Sequence, residues 1–171
     1  DGPGKQPTDA ALVINYSHNI SVSNCAFLHS LGGGGISIGN ETSHSIIHHN
    51  TFDHLGESGI NLYGVDQSPT PPQPGTVAGN NTKPHHISIF NNTIDTIGLN
   101  LPHVTGVMLR SASNVHIHHN RIQHSPRYAI QADSFFADHA ANRVPQQSSH
   151  NLIEFNIIND TNTATDDSGA I

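Results

Sequence analysis

The chain of 171 residues has no tryptophan, one cysteine, one methionine and only six lysines and arginines together. Each shortage excludes something. A single cysteine, Cys25, cannot form an intrachain disulfide, so no disulfide framework holds this fold together. Six basic residues against a formal charge of −7 argue against a nucleic-acid backbone as partner. No apolar run reaches membrane-spanning length, so no membrane span is expected. Charged residues make up 11% and aromatic ones 5%. The polar surface that lysine and glutamate usually supply must come from asparagine, serine, glycine and the fifteen histidines. No long helix-period segment is present.

What the chain does have is a phrase repeated five times: a β-branched residue, two residues, Asn (once Cys), one residue, then Phe or Ile. The copies are centred on Cys25, Asn50, Asn92, Asn120 and Asn156. Each is followed by a small residue and an aliphatic one: Gly35-Ile36, Gly59-Ile60, Gly106-Val107, Ala129-Ile130 and Ala170-Ile171. The anchors are 25, 42, 28 and 36 residues apart, which sets a basic coil of about 25 residues with insertions in some turns. Two short strands per repeat cannot bury a core alone, but stacked coils bury a common one. Alternation turns Val22, Ile47, Ile89, Ile117 and Ile153 inward, with Phe27, Phe52, Ile94, Ile122 and Ile158. The row Ser23, His48, Phe90, His118 and Glu154 faces out. Asparagines stacked at the strand spacing of about 4.8 Å can form an amide ladder. Cys25, in the same row, reads as a small buried hydrophobe.

The fold class that follows is all-β, a parallel β-helix solenoid of about five coils, one segment over 1–171. Loop insertions fall at 65–85, which is proline-rich, and at 133–149. No amphipathic capping helix is visible at either end. The segment is therefore expected to continue into further β-helix coils of a parent chain on both sides.

The turns between the anchor strand and the small-aliphatic strand differ from coil to coil. Coils 1 and 2 have glycine-rich turns at Leu31–Gly34 and Leu55–Ser58. Coil 3 carries Gly98–Thr105 with His103, coil 4 Ser125–Tyr128, and coil 5 Thr161–Ser168 with Asp166 and Asp167. Low turns beside bulky ones predict a groove whose wall is coils 3 to 5. The register puts Arg127 and Tyr128 one coil from Asp166 and Asp167, and Glu57 in the register of Arg127, about 10 Å away by stacking. His29, His54, His124 and Asp160 share another register, which places His124 beside Asp160. An imidazole next to a carboxylate suits acid–base work. An arginine there can grip a uronate. Glu154 is expected to face out beside His118.

The histidine clusters His48-His49, His85-His86 and His116-x-His118-His119 invite a metal reading. Phe90 separates His48 from His118, and Asn91 separates His49 from His119, so no specific transition-metal site is expected. There is no Cys pair and no His-Glu-x-x-His pattern. Calcium is the ion that the Asp166–Asp167 turn would take, and no other cofactor is implied.

The five-copy phrase resembles the right-handed parallel β-helix repeat family, in the broad pectate-lyase-like superfamily, over about residues 10–171. The stretches His124–Ile130, Asn151–Asn156 and Asp160–Ile171 are similar to phrases of secreted bacterial β-helix carbohydrate-active proteins. The resemblance implies a secreted or cell-surface protein with a polysaccharide or glycan as partner. Some relatives with an Asp-x-Gly-Ala-Ile phrase are similar to β-helix glycoside hydrolases, in which that Asp lies in the active site. Here it is Asp167, and the partner carboxylate is expected beyond Ile171.

Three functions are thus in play. One is hydrolysis, using Asp167 with a second carboxylate. Another is elimination or epimerisation, with Arg127 neutralising a uronate and Tyr128 or His124 moving the α-proton. The last is a non-catalytic glycan-binding, adhesive or scaffold segment.

Overall fold

The computed structural model describes residues 9–64, 83–133, 148–165 and 169–171. Most of both insertions, and Asp166 and Asp167 with them, lie outside the described residues. Among the described residues, fifteen strands form three parallel sheets of five. The first sheet holds β1 (Ala10–Ile14), β4 (Gly34–Ile38), β7 (Ile60–Tyr63), β10 (Val107–Arg110) and β13 (Ile130–Asp133). The second holds β2 (Ser21–Ser23), β5 (Ser43–His48), β8 (His85–Phe90), β11 (Ser113–His118) and β14 (Leu152–Glu154). The third holds β3 (Ala26–Leu28), β6 (Thr51–Asp53), β9 (Thr93–Asp95), β12 (Arg121–Ser125) and β15 (Ile157–Thr161). In every sheet the strands stack in coil order, the arrangement of a five-coil parallel β-helix. No helix long and apolar enough to cross a membrane occurs among the described residues.

Each coil thus carries three strands, not two. The repeated phrase bends at the residue just before its anchor and so contributes to two sheets. That residue is Asn24, His49, Asn91, His119 or Phe155, and its φ lies between 52° and 55° in all five coils. Left-handed backbone is costly for most side chains and least so for Asn, Asp and His. Two further columns share it: Asn19, His44, His86, Asn114 and His150 near the start of the second sheet, and His29, His54, Thr96, His124 and Asp160 at the end of the third. Among the described residues, nineteen non-glycine residues have positive φ, and of these eight are histidine and five asparagine. More than half of the fifteen histidines therefore occupy bends that few other side chains tolerate.

The registers expected for the core are observed: Val22, Ile47, Ile89, Ile117 and Ile153 are paired rung to rung, as are Phe27, Phe52, Ile94, Ile122 and Ile158. Phe27 and Phe52 stack at 4.8 Å, nearly parallel. The same core explains why a small residue precedes each aliphatic one. A Cβ at Gly35 would stand 2.4 Å from the Phe52 ring, and one at Gly106 would stand 2.6 Å from Ile122. The bulky residue of the next coil fills the space a side chain would need.

One corner of this core is polar. Asn50, Asn92 and Asn120 are buried, and each passes a side-chain hydrogen bond to the next: Nδ2 donates to the following Oδ1 at 3.0 Å, down to Asn156. Every Oδ1 also accepts the backbone N–H of the anchor before it, at 2.9 to 3.0 Å. Every Nδ2 donates to a carbonyl of the preceding coil at 2.9 to 3.0 Å. The ladder satisfies backbone groups that the bend removes from the sheets. Cys25 corrects one expectation, for it is exposed rather than buried. No described strand of the second or third sheet covers its outer side, and its thiol donates to the Ser23 carbonyl at 3.3 Å.

The turns correct another. The coil 3 turn does not stand up as a wall. Gly98, Leu99, Asn100 and Leu101 donate backbone N–H bonds to Glu57, Leu55 and Gly56, and the Asn100 side chain reaches the Leu31 carbonyl in coil 1. The glycine-rich turns are low because this loop lies across them, and a Cβ at Gly56 would collide with the Leu31 carbonyl.

Candidate active site at the end of the third sheet

The outer face of the third sheet carries Asp53, Asp95 and Gln123 in one register, on β6, β9 and β12. His124 follows Gln123 in the left-handed column, with φ 51°. That bend turns the imidazole back toward the preceding coil, where its Nδ1 meets Asp95 Oδ1 at 2.6 Å. Its Nε2 lies 3.8 Å from Asp160 Oδ2, on the following coil. The expected neighbour, Asp160, is therefore present, and a closer carboxylate stands on the other side. Asp95 is bound on both oxygens: Gln123 Nε2 donates to Oδ2 at 2.6 Å and Thr96 Oγ1 to Oδ1 at 3.0 Å. Arg121 Nε in turn fixes Gln123 at 2.8 Å.

This geometry decides the charges. Burial works against the Asp95 carboxylate, but hydrogen bonds from His124, Gln123 and Thr96 outweigh it and hold it below the usual carboxylate range. The Asp95 hydrogen bond pushes His124 above its ordinary value despite some desolvation, with the charges of Asp95 and Asp160 adding to the rise. The His124 side chain is 52% exposed and that of Asp160 69%, so the proton it carries is open to a ligand. A smaller copy of the motif sits on coil 2, where His54 Nδ1 meets Asp53 Oδ1 at 2.8 Å.

Three residues on, the Arg127 guanidinium lies over the Tyr128 ring, 5.1 Å from its centroid. The coil 5 turn stacks on theirs, as the register requires. Asn162 donates its backbone N–H to the Arg127 carbonyl at 3.0 Å, and Ala164 to that of Pro126 at 3.1 Å. Asp166 and Asp167, with the calcium expectation attached to them, lie outside the described residues.

The other candidate residues are not brought to this centre. Glu57 is raised by burial and then by the nearby charge of Asp9, and the Gly98 turn comes between it and the coil 4 turn. His103 stands exposed in the coil 3 turn. Glu154 pairs with His118 in register on the outer face of the second sheet, but its carboxylate bonds His116 Nε2, at 3.0 Å.

Sequence reasoning missed Asp95. The contact is diagonal, from one residue in coil 4 to the residue before its equivalent in coil 3, whereas the repeat register relates only equivalent positions. The column Asp53, Asp95, Gln123, one position ahead of the histidine column, was the available signal.

No protein-family profile, curated protein or solved structure matches the chain. The chemistry of the site must be read from its own geometry.

Proposed function

We propose that this chain is a carbohydrate-active β-helix segment that handles an extended polysaccharide along the outer face of the third sheet. His124 is its proton-transfer group. The reading rests on one observation: an exposed imidazole clamped between Asp95 and Asp160 at the end of a stacked row of polar side chains. The carboxylates raise the proton affinity of His124 and orient its ring to donate to a glycosidic oxygen. Arg127 and Tyr128, in the adjoining turn, supply a cation for an acidic sugar and a ring face for a pyranose. Hydrolysis is the reaction this arrangement suits best, with Asp160 or the Asp167 turn as carboxylate partner to the acid. Likeness to the pectate-lyase-like superfamily belongs to the same proposal.

The test is a polysaccharide panel read for new reducing ends and for absorbance at 235 nm, with His124→Asn, Asp95→Asn and Asp167→Asn alongside. Reducing ends without absorbance, lost in His124→Asn, support hydrolysis at this site. Absorbance at 235 nm moves the chemistry to elimination, with Arg127 neutralising a uronate. Turnover untouched by His124→Asn refutes the assignment of that residue.

A second reading has an observation of its own. The left-handed bends account for His124, His54 and six other histidines without any catalytic role. A non-catalytic glycan-binding or scaffold segment then fits, and it predicts glycan retention with no turnover on any polymer.

A further inference from the structure

Three times the chain sets two histidines side by side, the second in left-handed backbone: His49 with φ 54°, His86 with φ 53° and His119 with φ 55°. In a regular strand, consecutive side chains point to opposite faces. The bend instead swings both rings to one side. In each of His48-His49, His85-His86 and His118-His119 the two Nδ1 atoms are 2.8 Å apart. The ring planes are nearly perpendicular, at 83°, 83° and 88°.

One ring of every pair is pinned by parallel stacking. His48 and His118 lie on the two faces of Phe90, at 5.0 and 4.9 Å, and His86 lies on His44 at 4.9 Å.

We propose that these three pairs are separate chelating sites for a divalent late first-row transition-metal ion of the Cu2+ or Ni2+ type, each bound through two Nδ1 atoms. The distance is that of a hydrogen bond between the two rings, and it is also the bite of a right-angled chelate. Two nitrogens about 2.0 Å from one ion and at right angles stand about 2.8 Å apart, whereas a tetrahedral Zn2+ spreads them to about 3.3 Å. Without an ion, one hydrogen lies between the two nitrogens. The ion takes its place, and both rings then carry their hydrogen on Nε2. Phe90 and Asn91 hold the intervening rung, so the pairs of coils 2 and 4 are about 9.6 Å apart and cannot share one ion. The interleaving that argues against a single centre leaves each pair as a centre of its own. No group of three or more His, Cys, Asp or Glu side chains suited to a metal exists among the described residues. The remaining coordination positions would go to water or an incoming ligand.

The experiment is a Cu2+ titration of the chain by calorimetry, with electron paramagnetic resonance of the loaded protein. Three equivalents with two-nitrogen coordination are expected, and Zn2+ binding weaker by about tenfold or more. His49→Asn, His86→Asn and His119→Asn should each remove one equivalent, and the triple variant all three. Asparagine keeps the bend, since Asn91 and Asn114 already occupy these columns, and circular dichroism verifies that the fold is retained. His150→Asn, a bend histidine outside the pairs, should leave three. The proposal is overturned if the triple variant still binds three ions, if His150→Asn loses as much as the pair variants, or if the spectra show a single nitrogen.

Discussion

Two neighbouring columns at the bend between the second and third sheets are both polar, for unrelated reasons. The inner column, Asn50, Asn92, Asn120 and Asn156, is selected by hydrogen bonds: each amide has donors and acceptors on the coils before and after it. The outer column, one residue earlier, is His49, Asn91, His119 and Phe155, and is selected by backbone angle. Its side chains vary because only φ is constrained. Polar residues in a repeat can therefore mark a bonding network at one position and a conformational tolerance at the next. Only at the second kind of position are side chains free to acquire chemistry.

The largest expected effect breaks the inner column. Asn92→Ala leaves the buried Asn50 N–H without its side-chain acceptor and removes the Asn92 side-chain bonds to Asn50, the Ile47 carbonyl and Asn120 Oδ1, and should cost about 2–4 kcal/mol in denaturant unfolding. A loss well under 1 kcal/mol would mean that the ladder is not what holds the corner. Next comes the outer column. Asn91→Val should cost about 1–2 kcal/mol, because a β-branched residue is forced into left-handed backbone. Asn91→His, which the column already accepts in the coils on either side, should stay within about 0.5 kcal/mol. Equal costs for the two would erase the distinction between the columns.

The smallest effects are electrostatic and sharpen the contrast among the histidines themselves. Proton titration by NMR should find His124 above 6.5 and His85 and His118 below it. Asp95→Asn should return His124 toward 6.5 and leave the other two in place. The raised His124 stabilises the fold fully below 6.5, and that contribution is lost as pH rises through its folded value. The lowered Asp95 stabilises above 3.8, and its contribution is lost as pH falls through its folded value. The pair therefore contributes most between 3.8 and 6.5. His85 and His118 act oppositely, since their stabilisation is present above 6.5 and lost on acidification through their depressed folded values.

Most of the fold was legible because the repeat names its own neighbours. Five copies of one phrase fix which residues stack, and the core columns, the asparagine ladder and the His124–Asp160 approach all follow from counting positions. The third strand of each coil was not legible. Its boundary is a φ angle, and the residue that adopts it is Asn, His or Phe, with no glycine to announce it. Asp95 escaped because its contact with His124 crosses registers. The position of the coil 3 turn escaped because a loop's direction depends on which carbonyls it finds. Gly98–Leu101 found those of Leu55, Gly56 and Glu57 beneath them.

That turn has a consequence for how the molecule comes apart. Solenoid coils ordinarily hold only their immediate neighbours, so unfolding can proceed one coil at a time from an end. Asn100 reaches past coil 2 to Leu31 in coil 1, and the loop around it is bonded along coil 2. This contact ties coil 1 to coil 3, and coils 1 to 3 should therefore exchange their amide hydrogens as a unit. Coils 4 and 5 retain the rung-by-rung behaviour of a plain stack.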